Sequence, residues 1–300
     1  MAEFKSGFVS IIGRTNVGKS TLVNTLVGEK VAITANKCQT TRTAIRAIIN
    51  REKSQIIFMD TPGIHKPKTK LGKTMLETVW TSIPNSDVTL YIIDATAKKI
   101  GTGDRIILDK IKELKSKTIL LINKIDLIKK EDLVKIIELY KKEYEFEAII
   151  PVSATKNKNI EDIIEEIEKL LPEGPAYYDI EEYTDQTERQ IAEEIVREKA
   201  LKLLDEEVPH GIYVETQKMK YRKTTKKEDI CDIEVTIFTL REGHKGIIIG
   251  KNGAMLKKIG MYARQDLEQI LQTKVNLKIW VKVKENWQDN DSIVKKFKLQ

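Results

Sequence analysis

The chain has 300 residues, 41% hydrophobic and 32% charged, which suits about two domains with apolar cores and charged surfaces. No stretch approaches about 18 consecutive apolar residues, which excludes an ordinary transmembrane helix, and the polar Met1–Gly7 start lacks the zones of a secretory signal. Cys38 and Cys231 have no CxxC or histidine spacing, which argues against a disulfide scaffold or zinc site and for a reducing cytosol; the net charge of +7 implies a polyanion partner only if it is concentrated somewhere.

In chain order, Phe8–Ile12 reads as a short apolar strand and Lys19–Val27 as a helix. Ala44–Ile49 and Gln55–Met59 read as strands joined by a charged turn at Arg51–Lys53. A helix near Thr74–Ile83, a strand Val88–Ile93, a helix Asp104–Leu114 and a strand Thr118–Ile122 follow. A helix Glu131–Tyr144, a strand Ala148–Val152 and a helix Ile160–Leu171 complete the first half. Buried strands alternating with helices predict an α/β fold with a doubly wound, mostly parallel sheet. Pro172, Gly174 and Pro175 break this pattern.

The second half reads differently. Gln190–Leu204 is amphipathic, with Ile191, Ile195, Ala200 and Leu203 or Leu204 inward. Ile212–Gln217 is a strand, and the basic run Lys218–Lys227 is expected as a hairpin connection. Cys231, Ile233, Val235 and Ile237 mark a half-buried strand. A short helix ends near Ile249, Gly250-Lys251-Asn252-Gly253 follows, and then come a helix Ala254–Leu271 and a strand Val275–Val283. The order α-β-β-α-α-β predicts a small α+β domain. The charge is indeed uneven, with a net of −7 over residues 173–194 and +6 over residues 241–285. The expected division is 1–172, an acidic solvated linker 173–189, and a polyanion-binding domain 190–300.

Gly13-Arg14-Thr15-Asn16-Val17-Gly18-Lys19-Ser20 fits GxxxxGK[ST], after the first strand and at the start of a helix that continues with Thr21. Its residues, with Thr21, are expected to bind the nucleotide: backbone N–H groups would cradle phosphates, with Lys19 on the β- and γ-phosphates and Ser20 on Mg²⁺. Three more motifs end predicted strands. Asp60-Thr61-Pro62-Gly63 offers a water-mediated Mg²⁺ contact at Asp60 and a γ-phosphate contact at the Gly63 N–H. Asn123-Lys124-Ile125-Asp126 offers the Asp126 carboxylate to guanine N1–H and the 2-amino group. Adenine presents an acceptor at N1, so a buried carboxylate there discriminates by up to about 10⁴. Ser153-Ala154 places the Ala154 N–H for guanine O6.

These residues make the chain resemble the translation-factor-related GTPases. The resemblance implies that Thr41, or alternatively Thr40, in the stretch Gln39-Thr40-Thr41-Arg42 completes a Mg²⁺ shell in the GTP state. The position after Asp-x-x-Gly is Ile64, not the water-orienting Gln of many relatives, and an apolar side chain cannot position water. Relatives with this replacement use K⁺ held partly by an Asn in the cradle. The implied reaction is slow, K⁺-stimulated hydrolysis with Asn16 as a participant; the alternative is that Asn16 caps a backbone turn. His65 as a general base has little to do, since this hydrolysis needs positioning more than a base.

Gly250–Gly253 within the order α-β-β-α-α-β resembles the loop of a type II KH fold. Such a loop approaches an RNA backbone, with about four nucleotides lying in the adjacent groove. Lys251 would meet a phosphate, and Lys257, Lys258, Arg264 and Lys278 extend the positive field. A GTPase half followed by this KH half is similar to the Era family. The matching stretches are those above plus Ile195–Leu201 and Leu277–Lys284. The resemblance implies a monomeric GTP- and Mg²⁺-binding enzyme of small-subunit ribosome assembly. It would bind 16S rRNA near the 3′ end in the GTP state, in the cytoplasm, with peripheral inner-membrane association known for some members. Two other readings stay open: a binding protein whose nucleotide only stabilises the fold, and a membrane-linked signalling GTPase whose KH-like half binds protein.

Overall fold

Strands buried almost without interruption, with alternate residues facing opposite sides, build the first half around two apolar layers. Its elements are β1 (Lys5–Gly13), α1 (Lys19–Val27), β2 (Ile45–Asn50), β3 (Ser54–Asp60), α2 (Lys70–Ser82), β4 (Val88–Asp94), α3 (Thr102–Leu114), β5 (Thr118–Asn123), α4 (Lys130–Lys141), β6 (Ala148–Pro151) and α5 (Ile160–Leu170). The computed structural model describes residues 4–35, 37, 40–223, 225 and 228–297. Cys38, Gln39, Lys226 and Lys227, which belong to the expectations above, lie outside the described residues.

The six strands stand in the order β2-β3-β1-β4-β5-β6; β2 runs antiparallel to β3 and the other neighbours are parallel. In β4, Leu90 and Ile92 join Leu22 and Leu26 of α1 and Ile163 and Ile167 of α5. Tyr91 and Ile93 point the other way, to Val79 of α2, Ile107 and Ile111 of α3 and Ile136 of α4. This is the expected doubly wound sheet. Because β1, β3, β4, β5 and β6 are parallel, their carboxyl ends share one edge, which is where such folds bind ligands. Helix α2 starts earlier than its apolar period suggests, because Thr69 caps it by accepting the Gly72 N–H at 3.2 Å.

The chain divides by packing into two units. One comprises the chain up to Ala32, Thr41–Asp185 and the chain from Lys296 on, and the other Ile33–Thr40 with Gln186–Lys295. The acidic stretch is less free than a solvated linker. Edge strand β2 donates the Ile48 N–H to the Tyr183 carbonyl at 3.0 Å, and Thr184 Oγ1 donates to the Arg46 carbonyl at 2.9 Å. Gln55 Oε1 accepts the N–H groups of Tyr177 and Tyr178. The acidic side chains of Asp179, Glu181 and Glu182 stay exposed while their backbone covers a sheet edge.

The second unit contains α6 (Glu188–Leu203), β7 (Tyr213–Lys223), β8 (Asp229–Thr239), α7 (Glu242–Ile249), α8 (Ala254–Ile270), β9 (Lys274–Val283) and α9 (Asp291–Val294). Its sheet has the order β7-β8-β9, with β7 antiparallel and β9 parallel to β8. Ile195, Val196 and Ala200 of α6, the four alternate residues Cys231–Ile237 of β8, and Ile259, Ala263 and Leu267 of α8 form its core. One expectation is corrected here. Lys218–Lys223 is strand, not hairpin connection: after a bulge between Thr216 and Lys218, Lys218 faces Glu234 and Lys220 faces Asp232. Arg222 Nε also donates to Asp232 at 2.6 Å, so cross-strand charge pairing carries the ladder through a basic run. Trp287, unmentioned by any motif, is fully buried and donates to the Gly211 carbonyl at 2.9 Å.

Candidate functional site

The motif residues of the first unit converge on the carboxyl edge of its sheet. Gly18 cannot carry a side chain: its φ is 102°, and a Cβ would stand 2.3 Å from Asn123 Nδ2. That contact brings the cradle against the end of β5, where Asn123 Nδ2 donates to the Val17 carbonyl at 2.8 Å. The turn after β3 is docked too, because the Ile64 N–H donates to the Gly13 carbonyl at 3.0 Å. Lys19 is 6% exposed, and its Nζ lies on the carbonyls of Gly13 and Arg14 at 3.2 and 3.0 Å. Burial lowers its pKa to about 8, against an opposing pull from Asp60.

Ser20, Thr41 and Asp60 come together from three segments. Ser20 Oγ donates to Asp60 Oδ2 at 2.8 Å, Thr41 Oγ1 does so at 3.3 Å, and the two hydroxyls are 2.9 Å apart. Asp60 is fully buried, and its Oδ1 is without a hydrogen-bond partner among the described residues. Burial raises its pKa; Lys19 and the two hydroxyls oppose that. A buried carboxylate oxygen left unpaired beside two hydroxyls is a hard-oxygen set that fits Mg²⁺. The geometry selects Thr41 over Thr40 for this cluster, since Thr40 Oγ1 donates to the Lys37 carbonyl at 2.7 Å.

At the other end of the edge, Asp126 Oδ1 accepts the Ser153 hydroxyl at 2.6 Å, and Asn123 Oδ1 accepts the Ala154 N–H at 3.1 Å. Asp126 itself is exposed, contrary to the buried carboxylate expected, so its enclosure has to come from the base it meets. Lys124 Nζ donates to the Asn16 carbonyl at 2.8 Å and pairs with Asp94 at 2.6 Å. Asp94 was not foreseen; only the fold brings the end of β4 beside Lys124. The Arg14 guanidinium lies 3.2 Å from Asp104 of α3, so its loop backbone is what remains for the cradle, as expected of the motif. Ile64 is 6% exposed and belongs to the core, so the water-orienting position is turned inward. His65 Nδ1 lies 2.9 Å from the Gly63 carbonyl.

In the second unit, Gly250–Gly253 joins α7 to α8. Gly250 has φ 71°, and a Cβ there would lie 2.8 Å from the Met255 Cβ; Asn252 is also left-handed, at φ 51°. Lys251, Asn252, Lys257 and Lys258 are exposed around this turn, and Arg264 is exposed further along α8. Lys278 is not with them. Leu277 and Ile279 pack on the helix side of β9, so Lys278 stands on the opposite sheet face, 3.9 Å from Glu234.

Parallel strands ending in a phosphate cradle, an Asp-x-x-Gly turn and an Asn-Lys-x-Asp turn define a P-loop GTPase, here joined to a KH fold. A family model described as a 50S ribosome-binding GTPase matches residues 8–124, and a KH domain model matches residues 207–288. GTPase Era of Thermoanaerobacter sp. strain X514 is 49% identical over 292 residues, covering 97% of this chain and 95% of that one. GTPase Era of Caldanaerobacter subterraneus is 50% identical over 293 residues, covering 98% and 97%. The chain belongs to the Era family of GTPases. Among solved structures, Era in complex with MgGDPNP and nucleotides 1506–1542 of 16S ribosomal RNA matches with TM-score 0.93 at 42% identity, over 98% of each chain. A variant of Aquifex aeolicus Era bound to GDP·AlF4⁻ matches with TM-score 0.92, also at 42% identity, over 98% of this chain and 99% of that one.

Proposed function

We propose that the chain is a Mg²⁺-dependent, GTP-hydrolysing switch that binds the 3′ end of 16S rRNA and assists small-subunit maturation. The observation that carries this is the full-length likeness to an Era protein described with MgGDPNP and 16S rRNA, in a chain that keeps both the GTPase edge and the GxxG turn. The 50S description of the shorter family match covers less than half the chain, so the 16S partner is the more specific guide. Residues 1–172 act as the GTPase domain, 173–189 as connector and 190–300 as the RNA-binding domain. No helix among the described residues is long and apolar enough to cross a membrane; the proposed location is cytoplasmic. Crosslinking the GTP-loaded protein to total RNA and sequencing the adducts should return the 16S 3′ end. Adducts spread evenly over other RNAs would reject the reading.

The cradle backbone from Gly13 to Ser20 binds the phosphates, with Lys19 across the β- and γ-oxygens. Ser20, Thr41 and Asp60 would hold Mg²⁺, which neutralises charge on the transferring phosphoryl group. The Gly63 N–H orients the γ-phosphate, and the Asp126 carboxylate and Ala154 N–H read guanine. Thr21, next to Ser20 at the helix start, belongs to the same nucleotide-binding set. Phosphate contact favours charged Lys19, whereas its pKa without such contact is about 8. Nucleotide binding above that pH therefore takes up a proton. Affinity should weaken by up to about tenfold per pH unit above 8, and Lys19→Ala should remove that slope while costing roughly tenfold or more at pH 7. Calorimetry from pH 7 to 9 measures both; a pH slope retained by the variant would exonerate Lys19.

Ile64 supplies no water-positioning group, so slow hydrolysis aided by K⁺ at Asn16 is part of the proposal. Asn16 is exposed at the cradle, with its carbonyl held by Lys124. Its φ of 63° is also one that Asn tolerates well, which gives the residue a structural reason as well. Turnover should be faster in K⁺ than in Na⁺ at equal ionic strength, and Asn16→Ala should lose most of the difference. Equal rates in the two salts would end the K⁺ role.

A further inference from the structure

Two features of the second unit stay outside the site described above: the basic run that became strand, and Lys278, which stands away from the GxxG turn. Folding brings them to one surface. The helices pack on the side of the sheet that carries Cys231, Ile233, Val235 and Ile237. On the other side, Lys218, Lys220 and Arg222 of β7 stand opposite Glu234, Asp232 and Ile230 of β8. Lys278 and Trp280 of β9 stand beside Glu234 and Thr236 on that same side. Side-chain contacts mark the shared face: Asp232 accepts Arg222 Nε at 2.6 Å from one neighbouring strand and Asn276 Nδ2 at 2.8 Å from the other.

This face is basic. Lys274 pairs with Glu228 at its rim, at 3.1 Å. Inside that rim five cations, the three of β7 with Lys278 and Lys282, face three acids, Glu215, Asp232 and Glu234. Arg222 and Asn276 take up Asp232, and Glu234 lies between Lys218 and Lys278, so the two central acids are already matched. Lys220 and Lys282 have no ion-pair partner among the described residues. Among these charges stands Trp280, 56% exposed, with no ring contact and no hydrogen bond among the described residues. The other rings nearby are used by the fold. Phe238 stacks on Tyr213 with centroids 4.6 Å apart, Trp287 tilts against Tyr213, and the Trp287 indole donates to a carbonyl.

An indole left in water between lysines has the composition of a single-stranded nucleic-acid surface, where bases stack on the ring and ammonium groups meet the backbone. A protein-binding patch would instead have an apolar core depleted of charge. Residues two apart on a strand are about 6.6 Å apart, so Lys278 and Lys282 flank the ring about 13 Å from each other, with space for a stacked base between them. Strand β9 is an edge strand, and its Leu277 and Ile279 pack with the helices on the other side. An RNA chain on the helix side of this domain therefore reaches Trp280 around a single strand edge.

We propose that Trp280, with Lys278 and Lys282, forms a second contact for single-stranded RNA, on the sheet face opposite the helices, where a base stacks on the indole and the lysines meet the flanking phosphates. This contact rests on the RNA-binding reading above and lengthens the footprint beyond the about four nucleotides held at a GxxG turn. Every base has a π-face, so the contact adds affinity and length rather than sequence choice.

The test uses the full-length protein and two RNA probes from the 16S 3′ end, one of about five nucleotides and one of about twelve. Wild type should bind the longer probe at least about fivefold more tightly than the shorter. Trp280→Ala should lose most of that gain while binding the shorter probe within about twofold of wild type, and Trp280→Phe, which keeps a ring, should recover most of it. Lys278→Ala combined with Lys282→Ala should flatten the log–log salt dependence of the longer probe by about 1.4, at about 0.7 per single-strand phosphate. The longer probe should also quench tryptophan emission in wild type and not in Trp280→Phe. Should Trp280→Ala fail to fold, that fluorescence comparison decides. An equal gain with length in Trp280→Ala and wild type, or a quench that survives Trp280→Phe, overturns the proposal. A wild-type protein that binds the shorter probe and gains nothing with length overturns the second contact and leaves the RNA-binding reading standing. One that binds neither probe removes that reading and this contact with it.

Discussion

Asp126→Asn should turn the protein from GTP towards xanthosine triphosphate. Guanine presents two donors, N1–H and the 2-amino group, to the two oxygens of one carboxylate. Each charge-assisted bond contributes about 1.5–3 kcal/mol, so losing one, weakening the other and opposing two donors costs roughly 10²–10⁴ in GTP affinity. The amide keeps one acceptor and sets a donor against the 2-amino donor. Xanthine carries a keto oxygen at that place, which the new donor satisfies. Ser153 donates to Asp126 at 2.6 Å and keeps the side chain aimed, so the substitution changes chemistry more than position. Competition between GTP and xanthosine triphosphate for the fluorescently labelled site measures the swap. Unchanged GTP preference would place base recognition elsewhere. Because Asp126 is exposed, the substitution should leave the melting temperature nearly unchanged.

The second large effect concerns the GxxG turn. Replacing Lys251 and Asn252 together by Asp puts two negative charges where the chain is shaped to approach an RNA backbone. Gly250 and Gly253 supply the positive φ values of that turn, and both replaced residues are exposed, so the fold should survive. RNA affinity should fall by roughly tenfold or more, and the salt dependence of what remains should flatten as phosphate contacts are lost. GTP affinity should hardly move, since the cradle is built from the other unit. Filter binding at several salt concentrations, with circular dichroism as a folding check, gives the answer. Normal RNA binding by the variant would move the contact to another basic surface, Lys218–Lys223 first among the described residues.

Which parts of this were legible beforehand follows from the range of the interactions. The cradle, the Asp-x-x-Gly turn, the Asn-Lys-x-Asp turn and Ser153-Ala154 are each a few consecutive residues at a strand end. Their backbone geometry is local, so the sequence alone carried them, along with the strand and helix order that puts them on one edge. The GxxG turn was legible for the same reason, because a left-handed Asn252 between two positive-φ glycines is decided within four residues. Lys278 was grouped with the turn by its charge, and the register of β9 instead sets it on the opposite sheet face beside Glu234.

Other features depended on partners far along the chain. The choice of Thr41 over Thr40 turns on Asp60 and on the Lys37 carbonyl, which only folding brings into range. The partner of the Arg14 guanidinium, Asp104, lies ninety positions on. The basic run after Lys218 became strand because acids on β8 stand opposite it. Sequence by itself therefore determined the class, the two modules and the short motifs, all of which rest on contacts a few residues apart. Tertiary structure alone decided which hydroxyls and carboxylate meet, because those pairings are made across 21 to 40 positions by the packing of the sheet edge.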